Sequence, residues 1–178
     1  MDSTVIVFAR LDDLLTAPLA HARRLPRQAI DRLRSWGARI ILVSASSADY
    51  VRHVQRDLGI TEAFVCDGGA ALHVPDRYRR GLDWDAESEW ELFRFTPPDK
   101  KAAVVLMRDL FVGLGSRELV TIGIGCDLDD YGMLAAVDVP VVVRDLVKDQ
   151  SGLLRHVPDA YLTNATGPEG WAEALIGP

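Results

Sequence analysis

The chain has 178 residues, 48% hydrophobic and 26% charged, with a formal net charge of −6. That length and composition suit one globular domain that buries its core without disulfides or a structural metal. The acidic balance, with both signs mixed along the chain, argues against a nucleic-acid partner and against a membrane-surface role, each of which wants a basic face. Two basic runs, Arg23-Arg24 with Arg27 and Arg77 with Arg79-Arg80, read as solvated surface. Cys66 and Cys126 stand far apart at the ends of apolar runs, the free-thiol usage of a reducing compartment. No segment is long enough to span a bilayer and no leader pattern opens the chain, so a cytoplasmic location is the expectation.

In chain order, the first apolar run is Val5–Phe8, β-branched and short, and reads as a buried parallel strand. A helix follows from Pro26 to Trp36, with proline in its first turn, Ile30 and Leu33 on one face, and Gly37 as its stop. The second strand is Arg39–Ser44. The next helix, Ser47 to Leu58, has Ser47 as its cap, a stripe of Val51, Val54 and Leu58, and Gly59 as its end. Ala63–Cys66 is the third strand. From Ala70 to Phe95 the rhythm breaks. Two strand-like pieces, Ala70–Val74 and Trp90–Phe95, flank a polar middle, which predicts a hairpin or small excursion near the site. Asp99 to Val112 is helical, Val120–Gly125 is the fourth strand, Asp129 to Ala136 is a short helix, and Val139–Val143 is the fifth strand. A last helix starts at Thr166-Gly167-Pro168. Alternating strands and helices predict an α/β chain with a doubly wound, mostly parallel five-stranded sheet. Its site should lie beyond the carboxyl ends of the strands, after Phe8, Ser44, Cys66 and Gly125.

The residues at those ends carry a pattern. Gly125-Cys126-Asp127-Leu128-Asp129-Asp130 runs into Gly132-Met133-Leu134, and Val137-Asp138-Val139-Pro140 follows. Asp67-Gly68-Gly69-Ala70 comes after the third strand, and Gly167-Pro168-Glu169-Gly170-Trp171 closes the chain. Together they resemble the haloacid-dehalogenase superfamily and, within it, the mannosyl-3-phosphoglycerate phosphatases. The resemblance implies a Rossmann-like core over residues 1–178, with a minimal cap-like excursion about residues 70–98. It also implies phosphoryl transfer to an aspartate at the end of the first strand, a second aspartate as acid and base, a hydroxyl and a lysine on the phosphate, and acids holding Mg²⁺. Ser44 matches the hydroxyl and Lys100 the lysine, with Lys101 adjacent and not separable from it. Asp130 matches the last acid of the metal loop, and Asp129 stands at an asparagine position.

The chain departs from that pattern at its centre. Phe8 and Leu14-Leu15 set the register, so Arg10 stands at the nucleophile position and Asp12 at the acid/base position. Cys126 replaces the first acid of the metal loop, with Asp127 displaced by one. Arginine stays protonated and cannot attack phosphorus, and its cation is incompatible with a nearby Mg²⁺. Several readings stay open. Arg10 is an anchor for phosphate or carboxylate, or a structural partner of Asp130, Asp127 or Asp12. Ser44 binds phosphate or caps its turn, and Lys100 is functional or solvated. Cys126 is a reactive thiol or a small buried residue. Asp127, Asp129 and Asp130 hold a cation weakly or cap a helix, and Trp84 and Trp90 stack on a sugar or close a hairpin. The resulting expectation is a non-catalytic domain binding a small phosphorylated or anionic ligand, or a regulatory one, with no cofactor. The alternatives are a Mg²⁺-dependent phosphatase for a small sugar-phosphate or phosphoglycerate ester, and a structural partner, homo-oligomeric or otherwise.

Overall fold

A computed structural model describes residues 3–12, 24–78 and 90–176. The five apolar runs all form strands: β1 (Ser3–Arg10), β2 (Arg39–Val43), β3 (Phe64–Cys66), β6 (Glu118–Gly125) and β7 (Val139–Arg144). The five-strand expectation is nonetheless too small. The pieces within the excursion are β4 (Ala71–Pro75) and β5 (Trp90–Arg94), and Tyr161–Thr166 adds β8, so the sheet has eight strands in the order β5-β4-β3-β2-β1-β6-β7-β8. The β3–β4 and β4–β5 pairings are antiparallel and continue the core sheet at one edge, while the β1–β2, β2–β3, β1–β6, β6–β7 and β7–β8 pairings are parallel. Residues 79–89, and Trp84 with them, lie outside the described residues. Trp90 packs its ring 5.6 Å from that of Phe64, which is a core contact.

Among the described residues, six α-helices flank the sheet: α1 (Arg24–Ser35), α2 (Ala48–Leu58), α3 (Lys100–Gly113), α4 (Tyr131–Leu134), α5 (Ser151–His156) and α6 (Gly167–Ile176). The short α5 was not foreseen, since six residues with little apolar periodicity give no signal. Strand alternation divides the core into two layers. Val7 and Ala9 of β1 pack with Ile30 and Leu33 of α1, Val51 of α2 and Trp171 of α6. Ile6 and Phe8, one residue out of phase, pack with Val104 and Met107 of α3, Met133 of α4 and Leu153 of α5. Among the described residues, no helix is long and apolar enough to cross a membrane.

β1 lies at the centre, with β2 on one side and β6 on the other, and the chain reverses its winding there. Arg10 is level with Val43, and Ala9 with Ile124, so β1, β2 and β6 release their following loops at one place. The motif aspartate Asp138 works at the opposite edge. It binds the backbone and hydroxyl of Thr121 at 2.8 and 2.7 Å and ties the entry of β7 to β6.

β8 carries no apolar signal in the sequence because it is polar and lies on the edge, where one row of backbone groups needs no apolar cover. Its pairing with β7 is irregular between Val142 and Arg144. Thr163, fully buried, repairs the gap: its Oγ1 accepts the Arg144 backbone N–H at 2.9 Å and donates to the Ala165 carbonyl at 2.7 Å. Thr163→Val keeps the shape and strands both groups, so it should destabilise the fold by about 1–3 kcal/mol, read as a lower urea midpoint at unchanged slope.

Candidate functional site

Asp130 is the hub. It ends the 3₁₀ turn Leu128–Asp130 after β6, and its side chain has no solvent exposure. Oδ2 accepts the Arg10 Nη1–H at 2.7 Å and the Cys126 backbone N–H at 2.9 Å. Oδ1 accepts the Lys100 ammonium at 2.8 Å. So close a return of the turn onto β6 is allowed by Gly125, because a Cβ there would sit 2.6 Å from the Asp130 Cβ.

Arg10 closes the ring. The same Nη1 lies 2.9 Å from Asp127 Oδ1, and Nε lies 3.8 Å from Asp12 Oδ2. Asp12 accepts the Ser44 hydroxyl at 2.5 Å and the Ala45 backbone N–H at 2.9 Å. The Ser44 oxygen in turn accepts the Ser46 N–H at 3.0 Å, so both faces of that hydroxyl are engaged locally. Ser47, at the cap position of α2, makes no side-chain cap bond. Asp127 also meets Lys148 Nζ at 3.1 Å and caps the Asp129 N–H at 3.1 Å.

The fold therefore gathers Arg10, Asp12, Ser44, Lys100, Asp127 and Asp130, the residues that the sequence singled out. It separates the two lysines as well: Lys100 is buried against Asp130, whereas Lys101 faces solvent. Gly69, at φ +101°, makes room for Lys100, since a Cβ there would lie 2.9 Å from the lysine Cγ. Asp129 is exposed. Cys126 is buried, with its carbonyl held at 2.6 Å by Gln150 Nε2. Lys148 and Gln150 were missed, although the rule that sites follow strand ends points at the loop after β7.

Electrostatics follow from the geometry. Burial opposes the Arg10 cation, but Asp130 and Asp127 outweigh it and hold the guanidinium more firmly protonated than usual. Burial pushes the Asp127 carboxyl up, yet the bond and charge of Arg10, with Lys148, overcome this and bring it from an ordinary 3.8 down to about 2. Away from the cluster, burial and then Asp67 push the Cys66 thiol up to about 12, which makes it inert at neutral pH.

Does this place suit the Mg²⁺ that the resemblance implies? Asp130 and Asp127 already hold a guanidinium at 2.7 and 2.9 Å, and the other Asp130 oxygen holds an ammonium. Among the described residues, no group of three His, Cys, Asp or Glu could hold a metal ion. A divalent ion would have to displace Arg10. The residues do not fit it.

The fold is of the haloacid-dehalogenase type. A haloacid-dehalogenase-like hydrolase from Bacillus subtilis superposes with a TM-score of 0.65 at 12% identity, covering 97% of this chain and 90% of that one. The sucrose-phosphatase of Synechocystis, solved with sucrose and phosphate, gives 0.64 at 12% identity over 96% of both chains. A curated relative is a glucosyl-3-phosphoglycerate/mannosyl-3-phosphoglycerate phosphatase from Persephonella marina, 27% identical over 75 residues. That match spans 42% of this chain and only 28% of the relative's length. No family model matches the chain.

Two outcomes test the cluster. Arg10→Ala removes the bridge between Asp130 and Asp127, leaving each with one lysine, Lys100 and Lys148, and should cost about 2–4 kcal/mol, measured by denaturant unfolding at neutral pH. Asp127 has a folded value below its unfolded one, so its contribution is complete above pH 3.8 and disappears as the pH falls through about 2. Wild type should therefore lose extra stability across that window, and Arg10→Gln should show a shallower loss there.

Proposed function

We propose that the chain is a non-catalytic domain of the haloacid-dehalogenase fold, in which the Arg10 guanidinium takes the place of the metal. The observation that carries this reading is the 2.7 Å contact between Arg10 Nη1 and the fully buried Asp130. A phosphatase of this type needs a nucleophile and a divalent ion at that spot, to attack phosphorus and to neutralise charge on the transferred group. Arg10 can supply neither an attacking oxygen nor a vacant coordination site. Asp12, at the acid/base position, accepts from Ser44 and Ala45 and faces Arg10, which stands at the nucleophile position.

The domain's work is then binding or regulation, with a small phosphorylated or anionic molecule as its ligand class. The curated relative is named for phosphorylated glycerate esters, and such esters are the first candidates to try. The competing reading, a Mg²⁺-dependent phosphatase with an unconventional site, draws support from the retained Ser44, Lys100 and Asp130. All three are committed to internal partners, which weakens it.

The test is a hydrolysis screen of small phosphate esters, mannosyl-3-phosphoglycerate among them, with Mg²⁺ and with chelator. No chelator-sensitive phosphate release is expected. Turnover that chelator abolishes would sink the reading. Arg10→Asp should melt at a lower temperature than wild type and regain part of the loss on Mg²⁺ addition, while wild type should not respond to Mg²⁺.

A further inference from the structure

Beside the ion-pair cluster, between the ends of β6 and β7 and the start of α6, lies a cavity of about 330 Å³. Its volume is that of a small-molecule site. Ile124, Val143, Leu146, Val147 and Trp171 give it an apolar wall. Leu146 and Val147 are 82% and 93% exposed, so an occupant would cover apolar surface that otherwise faces water.

The polar groups of this cavity differ from those of the cluster. Arg10 reaches the cavity too, but its charge is met by Asp127 and Asp130. Arg144 is anchored at its root: Nε donates to the Thr163 carbonyl at 3.0 Å, and the backbone N–H to Thr163 Oγ1 at 2.9 Å. Its two terminal nitrogens take no partner among the described residues. A guanidinium held by Nε and open at its outer edge is organised in advance for a two-oxygen anion, and little side-chain freedom is lost on binding. The Thr166 hydroxyl, also in the lining, has no partner among the described residues. The N-terminus of the ten-residue α6 begins beside it and adds positive potential.

Asp145 restricts the choice of anion. Its Oδ1 accepts the Val147 and Lys148 N–H groups at 2.8 and 3.1 Å, and those bonds hold the carboxylate ionised within the lining. A negative charge there repels a phosphate dianion far more than a carboxylate, and tolerates a ligand that brings its own ammonium. We propose that this cavity binds a small carboxylate with a short aliphatic body: the carboxylate on Arg144 and Thr166, the aliphatic part on the apolar wall. This deepens the binding role suggested above by naming a ligand class, and it requires only the cavity, whatever happens at Arg10.

The test is calorimetric titration of the full chain, without Mg²⁺, with 4-methylpentanoate, leucine and inorganic phosphate. Saturable binding of 4-methylpentanoate or leucine is expected, with phosphate weaker than the better of the two. Tighter binding of leucine assigns Asp145 to its ammonium, and tighter binding of 4-methylpentanoate assigns a simple acid; both support the proposal. Arg144→Gln should weaken binding by about tenfold or more. Should that variant fail to melt cooperatively, Thr166→Val serves instead and should weaken binding by a few fold. No saturable binding of either carboxylate, unchanged affinity in a folded variant, or phosphate binding equal to the better carboxylate overturns the proposal. Because no turnover is measured, a failure here stays distinct from a failure of the non-catalytic reading, which the hydrolysis screen decides.

Discussion

A carboxylate sealed from solvent stays charged only with a cation against it, and Asp130 has two. Arg10 and Lys100 approach its two oxygens from β1 and from the N-terminus of α3, and backbone N–H groups of the Cys126 turn complete the shell. A cation at a helix N-terminus is unfavourable by itself, because the helix dipole presents positive charge there. Lys100 tolerates that position because Asp130 faces it at 2.8 Å. The arrangement is a closed account of charge: Arg10, Lys100 and Lys148 against Asp12, Asp127 and Asp130.

That closure links the fold to its chemistry. Three central strands deliver their loops to one edge, and in a phosphatase of this fold the convergence holds a metal between acids. Convergence of acids without a metal would be repulsive, and a guanidinium solves the same problem with directed bonds. The likeness to known hydrolases, at 12% identity over nearly the whole chain, is a likeness of scaffold. A scaffold outlasts any one reaction run on it, since function resides in a few side chains at strand ends.

The cavity next to the cluster shows the opposite state of charge. Arg144 is fixed at its root and open at its tip, on an edge where the β7–β8 pairing is irregular and Thr163 takes over a backbone role. Irregular pairing at a sheet edge re-aims side chains. Here the Arg144 guanidinium lines a space with an apolar wall.

Much of this protein was legible in the residue order. Short continuous apolar runs such as Val5–Phe8 in β1 and helical stripes such as Val51 and Val54 report burial directly, so the α/β class and all five core strands could be read off. Gly125, Asp127, Asp130 and Arg10 could be placed near one another because strand ends in such a sheet share an edge. The polar edge strand β8 and the short α5 could not, because neither has an apolar period to reveal it. Nor does the order of residues tell whether Arg10 turns to solvent, to a ligand or to a carboxylate, or which of Lys100 and Lys101 points inward. Those outcomes depend on distances of a few ångströms between segments more than a hundred residues apart, such as Arg10 and Asp130. They depend also on backbone approaches such as that of Gly69 to Lys100. Local sequence sets which groups arrive at the edge of the sheet, whereas only packing decides which charge meets which.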